Sequence, residues 1–581
     1  MLDTYRALLQ FLSSDIFASA LRKRCLAYGF FSGYSSRHAR AYNQVMASSR
    51  TPKSRGRFQG MLDLILKNGT VIDGTGAART RADVAVAADR IEVVGDASQL
   101  EAKEIIDVTG KIIAPGFVDV HNHTDAWLLK TPHLTAKTMQ GFTTEVIMSD
   151  GISYAPVSKE TVSEWIYYLR SLNGLLPEEY TGWETIAEYM ACMDRRNVQN
   201  AIAQIPYANV RSIPCGFGSR RPDDDQMARI TAIVQESMEQ GAVGMSTGLD
   251  YIAQCFSTTD ELVEACRPMA PFGGIYATHL RYKKGILPAL REAVEIGQRA
   301  QIPVHISHMK TGDAATNDLV LEYVDKTARN EVDFSFDVYP YLPGSTMLTI
   351  SLPHAVWEDG PLGVIPRLRD PKIRRAFELN IGIRDLSSLQ IAWLPSVEHA
   401  DYIGKPLGQY VADSGQSLGD ALCDLLISEG LAVLLVFMHG DDAITHPLLS
   451  HDCYMMGSDG IFMPSKSTIH PRVYGSAPRL LGPCVRDHQL FSLEQAVRKL
   501  SGYPAERFGL SHRGRVAEGY FADLVVFDAD TVQDRATYQD PHQYPSGMEH
   551  TFVNGVGVIR DGAPVKDLPE QLPGRALRFK E

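Results

Sequence analysis

Short apolar runs separated by tight turns fill residues 61–115, and no long helical pattern interrupts them. Leu62–Leu66 is followed by a turn signal at Asn68-Gly69. The same pattern of short apolar runs and turns occurs again after residue 511, for example in Leu524–Phe527. Short apolar runs bounded by Gly, Asn and Asp are typical of β-strands. We therefore predict one small β-sandwich domain, built from residues 61–115 and from residues 511–581, which also include a C-terminal tail.

Residues 116–510 show a different pattern, in which strand-like runs alternate with helical stretches such as Asp223–Gln240 and Gly285–Ala300. The strand candidates are Thr143–Met148, Gly241–Ser246, Gly274–Thr278, Pro303–Ser307, Asp333–Val338 and Val433–Met438. Repeated β-α alternation over this length predicts an α/β fold with a parallel sheet closed into a (β/α)8 TIM-like barrel. A stretch rich in Pro, Gly, Arg and Trp at about 343–431 interrupts the alternation of strands and helices, and we interpret it as an insertion over the barrel mouth.

Composition narrows the classes of partner. With 581 residues the chain exceeds the roughly 250–300 residues that one hydrophobic core supports, so several structural units are expected. The formal net charge of -12 disfavours a nucleic-acid partner. No apolar run approaches the roughly 20 residues of a membrane span. None of the eight cysteines forms a C-x-x-C pair, which is typical of reduced thiols in a cytoplasmic enzyme.

Residues 1–60 are rich in arginine and serine, and Asp3 and Asp15 are their only acidic residues. Such a composition is typical of an organelle transit peptide. It fits equally a disordered extension, or a chain whose true initiator is Met61. We therefore exclude this segment from the fold prediction and keep organelle targeting as an alternative to a cytoplasmic location.

Two histidines follow the first predicted barrel strand. His121 and His123 come directly after the apolar run Phe117–Val120. Successive side chains of a strand alternate between faces, so two residues that are two apart point the same way. Catalytic groups of such barrels lie at the carboxyl ends of the strands. Imidazole binds zinc, iron, nickel or copper, so the pair indicates part of a metal site.

Three further residues occupy equivalent positions. His279 follows the strand candidate Gly274–Thr278, and His308 follows Pro303–Ser307. Asp459 lies near the end of the last strand-like run before the closing helix. Each residue alone is more often a core or turn residue than a ligand. Together with the histidine pair they predict one metal centre at the carboxyl ends of the strands.

This pattern resembles the amidohydrolase superfamily, and within it the D-aminoacylases, which are N-acyl-D-amino-acid deacylases. The resemblance covers the chain from about Leu62 to Gly562. The matching segments are Lys67–Gly76, Ile113–His123, Ser246–Tyr251, Thr278–Arg281, Ile306–Lys310, Asp337–Tyr341, Gly457–Gly460, His470–Gly475 and Gly519–Val525. The resemblance implies a barrel with a β-sandwich, one or two Zn²⁺ ions (or another divalent metal), and metal-dependent hydrolysis of a linear amide.

One position departs from the family. Its members typically carry a metal-binding cysteine after the second strand, where this chain has Asp150. A carboxylate also binds divalent metals, with a harder ligand field than a thiolate. Our hypothesis is that Asp150 replaces the cysteine; the alternative is that it caps the turn before Gly151. We expect His279, His308 and Asp150 around one ion, and His121, His123 and Asp459 around a second position. Asp459 is the expected proton shuttle.

The resemblance also favours substrate contacts. An α-carboxylate requires cations, and Arg binds it through two parallel hydrogen bonds whereas Lys offers a point charge. Lys310, Tyr341 and Arg472 match the family's substrate contacts, and Tyr339 and Arg281 lie at similar strand ends. Arg281 could instead form a structural ion pair.

The expected reaction is deacylation of an N-acyl-D-amino acid, a small carboxylate-bearing molecule, to a D-amino acid and a carboxylate. Two alternatives stay open at this point. The same site could hydrolyse a cyclic amide or a carbamoyl compound. A non-catalytic barrel protein is the other alternative, and retention of four histidines and Asp459 argues against it.

Overall fold

The structure is a computed structural model that describes residues 61–381, 385–438, 440–464 and 466–581. The chain separates into two units, residues 1–60 and residues 61–581. The predictions for residues 1–60 lie outside the described residues. Everything below concerns the second unit.

One nine-stranded sheet takes strands from both ends of this unit. The strand Ile112–Pro115 pairs antiparallel with Leu524–Phe527, so that Ala114 lies opposite Val525. The N-terminal strands are Leu62–Val71, Thr80–Ala87, Arg90–Gly95, Ala102–Asp107 and Ile112–Pro115. The C-terminal strands are Leu524–Phe527, Met548–Val553, Val556–Arg560 and Ala563–Pro564. Alternate apolar residues of these strands form one buried cluster, so the two distant segments share a core.

The middle of the chain forms parallel strands. A three-stranded sheet contains Phe117–Asp119, Phe142–Ile147 and Asn200–Ala203. A six-stranded sheet contains Ile205–Pro206, Gly244–Gly248, Ile275–His279, Val304–Ile306, Phe334–Val338 and Tyr454–Met456. Only Gln204 separates the last strand of the first sheet from the first strand of the second. Nearly all residues of these strands are buried, as expected for parallel sheets.

The first and last parallel strands also meet. The backbone N–H of Asp459 donates to the His121 carbonyl at 2.7 Å, and that of His123 donates to the Gly460 carbonyl at 3.0 Å. The segment after Tyr454–Met456 is thereby bonded to the segment after Phe117–Asp119. The residues that follow these two strands therefore lie side by side.

The strand prediction for Val433–Met438 is wrong in its partners. Leu434–Phe437 forms a strand, but it pairs antiparallel with Gly344–Met347 and Leu389–Trp393. An entirely apolar run fits any buried strand, so the pattern alone cannot choose its neighbours. The stretch that interrupts the alternation therefore extends to Phe437, past the predicted end at residue 431.

Helices connect the parallel strands, and the predicted ones occur within a few residues of their expected ends. The α-helices are Asp125–Lys130, Thr135–Thr138, Val162–Tyr168, Ile186–Ala191, Tyr207–Cys215, Asp224–Glu239, Thr259–Cys266, Ile286–Ala300, Ala314–Tyr323, Arg329–Glu331, Val364–Arg367, Pro371–Ile381, Leu407–Ser414, Leu418–Ser428, His446–Ser450, Arg472–Arg479, Leu493–Val497 and Tyr503–Arg507. Asp223 caps one of them by accepting the Gln226 backbone N–H at 2.9 Å. Among the described residues, no helix is both long and apolar enough to cross a membrane.

A buried lysine holds the first and last parallel strands together. The Lys137 ammonium is fully buried, donates to the Asp119 carboxylate and to Ser458 Oγ at 2.9 Å, and lies 3.9 Å from Glu145 Oε2. Burial alone would lower the pKa of Lys137, but the carboxylates of Asp119 and Glu145 raise it. The lysine therefore stays charged. Asp119 lies two residues before His121 and Ser458 one residue before Asp459, so this ion pair fixes both segments.

Replacing this lysine tests its structural role. We expect Lys137→Met to reduce the free energy of unfolding by about 3–5 kcal/mol, because it leaves the Asp119 carboxylate buried without a cation. Lys103→Met is the matched control: Lys103 pairs with Asp63 at 2.7 Å on the exposed surface. That change should cost about 0–1 kcal/mol. Urea unfolding followed by circular dichroism measures both, and equal losses would contradict the assignment.

Candidate active site

Four imidazoles surround one carboxylate at the carboxyl ends of the parallel strands. Asp150 Oδ1 lies 3.6 Å from His121 Nε2 and 3.5 Å from His308 Nε2. Its Oδ2 lies 3.7 Å from His123 Nε2 and 4.0 Å from His279 Nδ1. Asp150 and His121 are almost completely buried. The two oxygens of a single carboxylate thus face two different pairs of histidines.

Asp459 completes the cluster on its other side. Its Oδ1 lies 3.3 Å from His123 Nε2 and 3.8 Å from His121 Nε2. Its Oδ2 lies 2.9 Å from Arg472 Nη1. Burial alone would raise the pKa of Asp459, but the Arg472 guanidinium and the nearby imidazoles hold it well below its usual range. The carboxylate is therefore ionised and can accept a proton.

The arrangement fits a bound cation. The ligand atoms of His121, Asp150 and His308 all lie within 4.8 Å of one another, as do those of His121, His123 and Asp459. Within the described part of the chain, His121 Nε2 and Asp150 Oδ1 are buried without a hydrogen-bond partner. Buried polar atoms normally have a partner, and imidazole and carboxylate are common ligands of divalent metals. These residues could hold one or two such ions.

Charge within the cluster also favours a cation. Burial alone would lower the pKa of His121, but the carboxylates of Asp150, Asp337 and Asp459 raise it to about 10. Burial would raise the pKa of Asp150, whereas His121, His308 and His279 hold it below its usual range. The negative charge of the cluster thus retains a proton on an imidazole. A metal ion bound there would replace that proton.

Three residues of the cluster adopt the left-handed backbone conformation that non-glycine residues rarely use. The φ angles are 58° at Asp150, 35° at His308 and 49° at Asp459. Such conformations cost free energy, and they persist where the surrounding structure enforces them. Here each one turns the chain sharply after a strand, which directs the side chain towards the cluster.

A cationic patch lies next to Asp459. Lys310 Nζ donates to Tyr339 Oη at 2.5 Å and to the Leu342 carbonyl at 2.8 Å. The Arg472 guanidinium lies over the Tyr339 ring, 4.3 Å from its centroid, and its Nε is buried without a hydrogen-bond partner in the described structure. Burial and the neighbouring guanidinium lower the pKa of Lys310 well below its usual range. A bound anion would offset the repulsion between the two cations and raise the pKa of Lys310.

Two of the predicted substrate contacts, Arg281 and Tyr341, bind other groups of the protein. Arg281 binds Glu292 at 3.1 Å and donates to the carbonyls of Cys255 and Ser257, both at 2.9 Å. This geometry favours the structural ion pair that the sequence left open. Tyr341 Oη donates to an Asp534 oxygen at 3.1 Å.

Sequence reasoning assigned no role to two carboxylates that touch the histidines. Asp337 Oδ2 lies 3.7 Å from His121 Nδ1, and Asp250 Oδ2 lies 3.4 Å from His279 Nε2. Both residues fall in segments that carry the family resemblance. Their position at or just after a parallel strand, like that of the histidines, was the signal that could have identified them.

Comparisons with known proteins agree with this geometry and confirm the resemblance found in the sequence. Residues 104–400 and 448–559 match the model of an amidohydrolase family. D-aminoacylase of Alcaligenes xylosoxydans xylosoxydans is 34% identical over 506 residues, which is 86% of this chain and 95% of that protein. N-acyl-D-glutamate deacylase of the same organism is 32% identical over 528 residues, or 90% and 97% of the two chains.

A solved structure shows the same likeness in three dimensions. It is N-acyl-D-glutamate deacylase from Bordetella bronchiseptica in complex with zinc and a phosphonate inhibitor that mimics the tetrahedral intermediate of the reaction. The TM-score is 0.76 at 30% identity, and the match covers 89% of this chain and all of that chain. Sequence and structure therefore agree that this chain belongs to the amidohydrolase family.

Proposed function

We propose that this chain is a zinc-dependent deacylase that hydrolyses N-acyl-D-amino acids to a D-amino acid and a carboxylate. The observation that carries the proposal is the cluster of His121, His123, Asp150, His279, His308 and Asp459, which lies beside a cationic patch. Relatives that act on N-acyl-D-amino acids match nearly their full length to this chain. N-acyl-D-glutamate deacylase from Bordetella bronchiseptica, which is similar to this chain in structure, has been observed with zinc.

We infer that the parallel strands close into a (β/α)8 barrel and that the nine-stranded sheet belongs to a β-sandwich domain beside it. Support comes from the continuous parallel pairing from Phe117–Asp119 to Tyr454–Met456. Hydrogen bonds between the segments that follow those two strands add to it. Such closure brings all strand ends to one mouth, which explains how residues hundreds of positions apart form one site.

In this proposal Asp150 takes the place of the family's cysteine. Its carboxylate, with His279 and His308, would hold one zinc ion, and His121, His123 and Asp459 would frame a second position. When bound, zinc polarises a carbonyl group and lowers the pKa of water towards about 7. The four imidazoles around the Asp150 carboxylate support a ligand role, because a simple turn cap would not require them.

Asp459 serves as the general base and acid. Its ionised carboxylate accepts a proton from the attacking water and returns it to the amine that leaves. Arg472 keeps the carboxylate ionised before this step, since it lies 2.9 Å from Oδ2. The same residue thus provides a base at the start of the reaction and an acid at its end.

The cationic patch binds the substrate's α-carboxylate. The substrate's carboxylate would raise the pKa of Lys310 and favour its charged form, since the partners of Lys310 within the protein are neutral, namely the Tyr339 hydroxyl and two backbone carbonyls. Arg472 adds a buried guanidinium nitrogen without a partner in the described structure. Tyr339, rather than Tyr341, supplies the phenol beside this patch, because Tyr341 is engaged by Asp534.

A substrate panel tests the proposed activity. Amine release should occur from N-acetyl-D-amino acids and not from their L enantiomers. Hydantoins and N-carbamoyl-D-amino acids are included for the alternative reactions. Asp459→Asn should lower kcat about 10²- to 10⁴-fold on the active substrates. Turnover confined to hydantoins or carbamoyl compounds would overturn the proposed substrate class, and no turnover of any zinc-loaded sample would overturn the activity.

A second experiment tests the role of Asp150. We expect Asp150→Asn to reduce the zinc content of the purified protein, because a neutral amide is a poor ligand and the imidazoles lose their counter-charge. Asp150→Cys should restore zinc binding, since a thiolate is a zinc ligand. Asp150→Gly is the control for the backbone: it relieves the left-handed strain but removes the ligand. Unchanged zinc content in Asp150→Asn and Asp150→Gly would show that Asp150 only shapes the turn.

A third experiment tests carboxylate recognition. Lys310→Met should raise KM for an N-acetyl-D-amino acid about 10- to 100-fold, because a charged hydrogen bond contributes about 1.5–3 kcal/mol. The matched control is an N-acetyl amine of the same side chain that lacks the carboxylate, on which the variant and the unmodified enzyme should differ little. An equal loss on both compounds would contradict carboxylate binding by Lys310.

A further inference from the structure

We propose that Asp250 is a positioning residue that fixes which ring nitrogen of His279 faces the metal site. The proposal rests on the zinc site described under the proposed function, but not on the substrate. Asp250 is no member of the two ligand groups, and it is separated from them by the His279 ring. Its role would be to orient a ligand rather than to bind the ion.

The two nitrogens of His279 face different surroundings. Nδ1 lies 3.1 Å from His308 Nε2 and 4.0 Å from Asp150 Oδ2, so it points into the cluster. Nε2 lies 3.4 Å from Asp250 Oδ2, on the opposite edge of the ring. A carboxylate accepts a hydrogen bond and cannot donate one when ionised. Asp250 therefore selects the form of His279 that carries its proton on Nε2 and leaves the Nδ1 lone pair free for a metal.

The neighbouring strand places Asp250 at this point. Gly248, the last residue of the strand Gly244–Gly248, lies opposite His279 in the parallel register. The next residue, Leu249, donates its backbone N–H to the His279 carbonyl at 3.1 Å. Tyr251 N–H then closes a turn on the Gly248 carbonyl at 2.8 Å. The backbone next to Asp250 is thus hydrogen-bonded to the backbone of His279. This bond fixes the position of the carboxylate relative to the ring.

The His279 ring also packs against two tyrosine rings. Tyr251 and Tyr282 lie with their ring centroids 4.9 Å and 5.0 Å from that of His279. His279 and Asp250 are both more than nine-tenths buried. Water therefore has little access to Nε2, and Asp250 is the hydrogen-bond partner that the described structure gives it. Removal of the carboxylate would leave the buried ring free to take either tautomer.

Zinc affinity tests this role without any substrate. Partners that hydrogen-bond metal-binding histidines typically contribute 10- to 100-fold in metal affinity. We expect Asp250→Leu, which removes the acceptor and keeps a similar side-chain shape, to weaken zinc binding by about that factor, measured by competition with a chromophoric chelator. The zinc-free variant should unfold at nearly the same urea concentration as the zinc-free unmodified protein. An absent deacylase activity in the unmodified protein would overturn the proposed substrate and leave this comparison intact.

Tyr251→Phe is the matched control, because it changes the residue next to Asp250 and keeps both the carboxylate and the ring that packs against His279. It removes a hydroxyl whose oxygen lies 3.4 Å from Thr346 Oγ1. This variant should bind zinc as tightly as the unmodified protein. Equal weakening in both variants would assign the effect to local packing and overturn the proposal. Unchanged zinc affinity in Asp250→Leu would overturn it as well.

A crystal structure of the unmodified, zinc-loaded protein provides a test that does not depend on a variant folding. The proposal requires zinc bound to His279 Nδ1, with Nε2 hydrogen-bonded to Asp250. Zinc bound to Nε2, or a ring turned away from Asp250, would contradict it.

Discussion

The attraction between one buried carboxylate and the four imidazoles around it is the interaction on which the site depends. Asp150 would be costly to bury alone, since an unpaired ionised carboxylate loses its hydration. Its neighbours reduce that cost, and each of its oxygens faces two ring nitrogens at 3.5–4.0 Å. The remaining negative charge, together with that of Asp459, makes the pocket attractive to a cation. Metal binding and the electrostatics of the cluster are thus two consequences of one arrangement.

Everything around the cluster restricts its freedom. Lys137 joins Asp119 to Ser458 beneath the site, and backbone hydrogen bonds join His121 and Asp459 above it. Small shifts in these segments would change several distances in the cluster at once, because His121 and Asp459 each approach more than one other member of it. The left-handed backbone conformations at the strand ends add to this restriction. Each costs free energy, and the surrounding structure enforces it where it orients a side chain of the cluster.

The sequence predicted which residues lie together in the cluster better than it predicted which strands pair. The histidines could be found because a residue directly after a buried strand has a defined position in a parallel sheet. Val433–Met438 was misassigned because an apolar run carries no information about its neighbours. Tyr341 and Arg281 show a further limit. Both lie at strand ends as expected, but their partners, Asp534 and Glu292, come from other segments. Asp250 follows the strand Gly244–Gly248 as the histidines follow theirs, but an aspartate at such a position is more often a turn residue, so its position alone did not identify it.

The proposed replacement of the family's cysteine by Asp150 is tested most directly by X-ray absorption at the zinc edge on the loaded protein. The account predicts a first shell of nitrogen and oxygen near about 2.0–2.2 Å, with the outer scattering of imidazole rings. A sulfur shell near about 2.3 Å would show that a cysteine from elsewhere in the chain binds the metal. Either that result, or a shell without imidazole scattering, would contradict a centre built from these histidines and Asp150.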